Sequence, residues 1–120
     1  MVSQEARQVL VVEDEYIVAL EAEEFLEELG YVVAATASTL KDALLAAKTK
    51  NFDCVILDLN LRGHLSYPVA ESLTERGIPF IFATAYPPYT IDPVYRHIPK
   101  VQKPFDRGSL GAAIEVATCQ

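Results

Sequence analysis

Basic residues are scarce in this chain, cysteines and histidines scarcer still, and no apolar run is long. Ten Lys and Arg stand against 17 Asp and Glu in 120 residues, a net charge of −7. That balance repels phosphate backbones and anionic lipid, which argues against direct nucleic-acid binding. Much of the acidity has a plain explanation, because Glu21, Glu23, Glu24, Glu27 and Glu28 would coat one solvated helix face. Two cysteines, Cys54 in a strand-like run and Cys119 beside the last residue, give neither a disulfide framework nor a metal spacing and read as free thiols. The two histidines are isolated: His64 lies in a Gly-containing loop and His97 precedes the last strand, so both read as solvated side chains. No stretch approaches the roughly 20 apolar residues of a membrane span, so no membrane insertion is expected. Met1 to Arg7 also lack a basic region followed by an apolar one, and the expected location is cytoplasmic.

What is present is a chain 51% apolar and 22% charged, with room in 13.2 kDa for one domain, residues 1–120, around one core. Apolar runs alternate with helical periodicities from end to end, which predicts an α/β fold with a parallel sheet covered on both faces. The runs, read as strands buried on two sides, are Val9 to Val12, Tyr31 to Thr36, Cys54 to Leu57, Phe80 to Ala83 and a weaker Ile98 to Val101. A first helix is predicted over Glu15 to Leu29, with Val18, Ala22, Phe25, Leu26 and Leu29 inward and Gly30 as its stop. Ser38 is placed to cap a second, with Leu40, Ala43, Leu44 and Ala47 inward. A third starts near Pro68 and ends at Gly77, and Asp106 is placed to cap the last, which turns Leu110, Ala113, Ile114 and Ala117 to the core.

The fourth crossover differs. Pro87, Pro88 and Pro93 fall within Tyr86 to Tyr95. Each removes an amide donor and clashes with a preceding helical turn, so a short or irregular element is expected there.

Four runs end in chemistry. Val9 to Val12 closes on Glu13-Asp14, Cys54 to Leu57 on Asp58, Phe80 to Ala83 on Thr84, and Val101-Gln102 leads into Lys103-Pro104. Ligands of an open parallel sheet gather at the carboxyl ends of its strands, where the strand order reverses. Three carboxylates brought together there repel one another unless a cation intervenes, and an oxygen-only donor set favours Mg²⁺, with Mn²⁺ or Ca²⁺ able to replace it. Taken singly, each residue has a simpler role: helix cap for Asp14 or Glu15, turn cap for Thr84, solvated charge for Lys103. Together they suit phosphoryl transfer, with Asp58 as a carboxylate nucleophile attacking in line and Thr84 and Lys103 holding the equatorial oxygens.

The segments Val9 to Glu15, Val55 to Leu61, Phe82 to Ala85 and Lys103-Pro104-Phe105 closely resemble the receiver domain of bacterial two-component response regulators. The Pro79 to Thr84 stretch with Tyr86 further resembles single-domain members with a short or mobile fourth helix. The resemblance implies a flavodoxin-like, doubly wound, five-stranded parallel sheet of order 2-1-3-4-5. It implies Asp58 as phosphoacceptor, Glu13, Asp14, Asp58 and the Asn60 carbonyl as Mg²⁺ ligands, and a cis Lys103-Pro104 bond. The implied partners are a sensor histidine kinase or histidine phosphotransfer protein and a downstream protein target, with the chain a monomer or weak dimer. It would catalyse only its own phosphorylation and dephosphorylation.

One position departs from the family. Three residues before the lysine, where receivers commonly carry an aromatic, stands Lys100. Tyr86 or Tyr95 could substitute, and switching could be an order–disorder change in Ala85 to Tyr95 biased by Thr84. Ala85 leaves an access path beside Thr84, and Asn60 and Tyr86 flank the route of hydrolytic water. The chain reads as a stand-alone switch or an excised receiver, and Gln120 follows the last helix too closely to separate them. Two other functions compete: an unphosphorylated scaffold of the same fold, and an aspartate-nucleophile phosphohydrolase, which would want an acid where Asn60 stands. A flavin carrier fits poorly, because the loop after Val12 is acidic.

Overall fold

The computed structural model describes residues 6–119; the expectations resting on Met1 to Glu5 and on Gln120 lie outside them. Strands β1 (Gln8–Val12), β2 (Val32–Ala37), β3 (Cys54–Asp58), β6 (Phe80–Thr84) and β7 (Lys100–Gln102) form one parallel sheet of order β2-β1-β3-β6-β7. This is the expected order 2-1-3-4-5, counted along the main sheet. Helices α1 (Tyr16–Glu28), α2 (Leu40–Thr49), α3 (Tyr67–Arg76) and α4 (Arg107–Thr118) cover its faces.

The alternation of side chains along each strand divides the core in two. Leu10, Val12, Val55, Leu57, Phe80 and Phe82 pack with α2 and α3, while Val9, Val11, Ile56, Ile81 and Val101 pack with α1 and α4. β1, β3 and β6 are buried on both faces, as their unbroken apolar runs require. β2 corrects the expectation of two-sided burial, since Val32 and Ala34 are exposed and the strand alternates. It is an edge strand of the sheet, paired with β1.

Helix ends follow local chemistry, with one correction. Asp106 caps α4 as expected, its carboxylate accepting the Ser109 N–H at 2.7 Å. At α2 the cap is Thr39 rather than Ser38: the Thr39 hydroxyl accepts the Asp42 N–H at 3.1 Å. Neighbouring hydroxyls are equal candidates in sequence, and the start of α2 at Leu40 makes Thr39 the cap. α3 begins one residue before Pro68, at Tyr67, and stops at Gly77 in the left-handed region. Leu29, expected inward, is 37% exposed at the C-cap of α1, its side chain lying beside Gly111 of α4.

Two segments lack a full helix or main-sheet strand. The fourth crossover forms two single 3₁₀ turns, Pro88–Thr90 and Pro93–Tyr95, in place of a helix, as the prolines dictate. Between β3 and α3 lies a hairpin that was not foreseen, β4 (Asn60–Leu61) against β5 (His64–Leu65). His64 therefore sits in a short strand rather than a loop, and it is exposed, as is His97.

Candidate functional site

The main-sheet order reverses between β1 and β3, and the carboxyl ends of both strands carry acids. Glu13 N–H continues the ladder to Ala37 O at 3.0 Å, which fixes the Glu13-Asp14 turn against the end of β2. Asp58 is the last residue of β3, paired with Ala83 of β6, and Thr84 follows Ala83. Lys103 N–H donates to Thr84 O at 2.8 Å, so the β7 exit is pinned beside the β6 exit. The Lys103-Pro104 peptide bond is cis. Adjacent parallel strands ending at one level thus bring residues from four strand ends together.

The charges meet around Lys103. Its ammonium lies 2.5 Å from Glu13 Oε1 and 3.1 Å from Asp58 Oδ2. One carboxylate oxygen from each of Glu13, Asp14 and Asp58 lies within 4.8 Å of the others, close enough to share one cation. Main-chain donors fix these acids: Glu15 N–H to Glu13 Oε2 at 3.1 Å, Asn60 N–H to Asp58 Oδ1 at 3.2 Å, and Arg62 N–H to Asp14 Oδ2 at 3.1 Å. Thr84 Oγ1 accepts the Tyr86 N–H at 3.0 Å.

Burial sets the titration of this group. Burial, and then the negative charge of Glu13, push the Asp58 carboxyl up to about 7 against the pull of Lys103. For Lys103, burial works downward, but hydrogen bonding to Glu13 and the charge of Asp58 outweigh it and hold the ammonium above its ordinary value. For Asp14, burial works upward, but hydrogen bonds with the Glu13 side chain and Arg62 N–H hold it below the ordinary value. Burial and the charge of Glu13 thus disfavour the ionised form of Asp58, and added positive charge would relieve it.

A cleft of about 280 Å³ opens over these groups, lined by Asp14, Asp58, Asn60, Arg62, Thr84, Ala85, Tyr86 and Lys103 among others. Ala85 and Tyr86, which follow Thr84, line it on the β6 side. Asp58, Thr84, Lys103, Asp14 and Asn60 all reach it, and Glu13 joins through Lys103. The donors are hard oxygens, they carry excess negative charge, and the cleft has room for water. That set suits a hard divalent cation.

The sequence reading missed Arg62, whose main-chain N–H fixes Asp14. An X-Gly pair, Arg62-Gly63, directly joining two short strands, was the available signal. Of the aromatics offered in place of the Lys100 position, Tyr95 packs inward against Phe80 and Phe82, and Tyr86 is 52% exposed. Tyr67, which the sequence reading passed over, lies stacked on Tyr95.

A family model, response regulator receiver domain, matches residues 9–115. Among solved structures, SdrG from Sphingomonas melonis Fr1 is 40% identical, with a TM-score of 0.84, 96% of this chain covered and 98% of that one. The receiver domain of sensor histidine kinase PA1611 from Pseudomonas aeruginosa PAO1, solved with magnesium coordinated in its active-site cleft, has a TM-score of 0.81 at 21% identity. Coverage there is 97% of this chain and 100% of that one, and the likeness is one of fold. The curated phyllosphere-induced regulator PhyR of Methylorubrum extorquens is 29% identical over 93% of this chain. The chain spans 43% of that relative's length.

Proposed function

This chain belongs to the response regulator receiver domain family, and from that membership we propose that it is a phosphorylation switch whose phosphoacceptor is Asp58. Receiver domains act in two-component signalling opposite histidine kinases and phosphotransfer proteins, and the donor for this chain is taken to be one of those. The reading rests above all on one observation: Lys103 bridges Asp58 and Glu13 in a cleft that Thr84 also lines.

Each residue has a task that its position supports. Asp58 Oδ attacks the phosphorus, its carboxylate already polarised and oriented by the Asn60 N–H. Lys103 is near enough to follow charge from the Asp58 carboxylate to an equatorial phosphoryl oxygen. The Thr84 hydroxyl already accepts from Tyr86 N–H, so its own proton is directed elsewhere and can be donated to a second phosphoryl oxygen. That contact would tie phosphorylation to the segment that begins at Ala85.

Glu13, Asp14, Asp58 and the Asn60 carbonyl are the residues that would hold Mg²⁺, and Mn²⁺ or Ca²⁺ would fit the same oxygens. Bound there, the ion would neutralise negative charge on the transferring phosphoryl group. The chain would then catalyse its own labelling and dephosphorylation and no other reaction. No helix among the described residues is long and apolar enough to cross a membrane. Together with the nature of the proposed donor, this favours a cytoplasmic setting, with a downstream protein as the target and a monomer or weak dimer as the working form.

The test is intact mass after incubation with acetyl phosphate or phosphoramidate and Mg²⁺. One phosphoryl adduct is expected in the wild type and none in Asp58→Asn. A wild type that takes no phosphoryl group from any small donor or kinase would make it a scaffold, and steady turnover of phosphate esters would make it a hydrolase.

A further inference from the structure

The β4–β5 hairpin places Arg62 at the cleft in an unfavourable backbone conformation. Leu61 pairs with His64, which leaves Arg62-Gly63 as a two-residue turn with φ of 53° and 87°. Hairpin turns with two positive φ angles favour Asn, Asp or Gly at the first position, and a bulky residue there is disfavoured. Arg62 is the one non-glycine residue with positive φ among the described residues.

The turn is tied by hydrogen bonds to the acids of the site. Arg62 N–H holds Asp14, Gly63 N–H donates to Asn60 Oδ1 at 2.7 Å, and Asn60 N–H holds Asp58. Arg62 lines the cleft together with Asp14, Asp58, Thr84 and Lys103. Its guanidinium has no ion pair or hydrogen bond among the described residues, whereas Lys103 is shared between two carboxylates. An anionic phosphodonor approaching three carboxylates therefore meets one cation whose charge is not already matched.

We propose that Arg62 is a donor-selecting residue of the phosphoryl site, favouring phosphodonors that carry two negative charges. This inference rests on the reading of Asp58 as phosphoacceptor. With acetyl phosphate, a dianion at neutral pH, Asp58 Oδ forms the new P–O bond while the P–O bond to the acetyl group breaks, and acetate leaves with the electron pair. With phosphoramidate, a monoanion whose nitrogen is protonated, the P–N bond breaks and ammonia leaves. The guanidinium attracts the first donor and its leaving carboxylate more than it attracts the second.

The experiment measures the second-order rate of Asp58 labelling with each donor, Mg²⁺ being saturating, in wild type, Arg62→Asn, Arg62→Gln and Arg62→Lys. Asn tolerates the positive φ, and Lys keeps the charge. The ratio of the acetyl phosphate rate to the phosphoramidate rate is expected to fall about 3- to 10-fold in Arg62→Asn and Arg62→Gln and to stay near wild type in Arg62→Lys. Added salt should lower the ratio in wild type and leave it flat in Arg62→Gln. An unchanged ratio, with or without a common loss of rate, would overturn the inference and leave Arg62 a turn residue. A wild type that forms no adduct with either donor would overturn the phosphoacceptor reading itself, and the inference with it.

Discussion

The hydroxyl of Tyr67 accepts the main-chain N–H of Asp92 at 2.8 Å, which joins the first turn of α3 to the crossover between β6 and β7. The Tyr67 ring stacks on Tyr95 with centroids 5.5 Å apart and planes 8° from parallel, and Tyr95 in turn meets Phe80 and Phe82 edge-on. Ile91, between the two 3₁₀ turns, is 1% exposed. A segment without a helical hydrogen-bond ladder is thus held by the Tyr67–Asp92 hydrogen bond, by Tyr95 packed among Tyr67, Phe80 and Phe82, and by the buried Ile91.

Removing the hydroxyl tests that hold. Tyr67→Phe keeps the stack and loses the hydrogen bond, so global stability should fall by no more than about 1 kcal/mol. Amide exchange over 86–98 should rise well beyond that of β1 and β3. Hydrogen-exchange mass spectrometry reads this directly; equal protection in both proteins would show that the bond does not restrain the crossover.

The same segment is the proposed reporter of phosphorylation. If Thr84 turns toward a phosphoryl group, the Tyr86 N–H is the first amide to feel it. Adding beryllofluoride and Mg²⁺ should therefore shift the backbone amides of Ala85 to Tyr95, and Thr84→Ala should suppress those shifts. Unmoved amides in the wild type would refute an order–disorder switch there.

Asp58 gives a pH-dependent stability with a definite sign. Its folded pKa, about 7, lies above its ordinary 3.8, so the folded protein binds this proton more tightly than the unfolded chain does. Stability on Asp58's account is therefore present below about pH 4 and is lost as pH rises toward 7. In metal-free buffer at pH 7.5, Asp58→Asn should be more stable than wild type by roughly 1–3 kcal/mol, and the gap should narrow at pH 5.5. Urea unfolding at the two pH values checks it, and a gap that widens toward acid would reverse the assignment.

Cation binding should show the matching effect. The carboxylates must be deprotonated to ligate, so Mg²⁺ affinity should be about three- to tenfold weaker at pH 6 than at pH 8, with a proton released on binding. Calorimetry in two buffers of different ionisation enthalpy separates the proton from the metal. Affinity that is flat from pH 6 to 8 would mean that Asp58 does not titrate in this range.

Lys103→Met should leave Glu13 and Asp58 buried without their counter-charge. A loss of about 2–4 kcal/mol is expected in EDTA, part of it recovered by saturating Mg²⁺. Thermal unfolding with and without the metal measures both; a loss that Mg²⁺ leaves untouched would argue that the acids do not share a cation site.

The elements that proved legible in the sequence are those governed by local pattern. β1, β3 and β6 were readable because central parallel strands are apolar on both faces, and Asp106 and Gly77 because helix ends need a cap and a left-handed stop. β2 was readable as a strand but not as an edge, since edge position depends on strand order. Tyr67 was invisible for a related reason: a tyrosine at the start of a helix gives no sign of the amide it will meet 25 residues later.

By itself the sequence determined the α/β alternation, the proline-broken crossover, and the placing of Glu13, Asp14, Asp58, Thr84 and Lys103 at the ends of successive strands. Those follow from side-chain periodicity and backbone restriction, which act over a few residues. Only the tertiary structure decided that Lys103 lies between Glu13 and Asp58, that Asp58 is held near pKa 7, and that Arg62 lines their cleft. Charge interactions and desolvation depend on distances between groups 45 or more residues apart in the chain, and folding alone sets those distances.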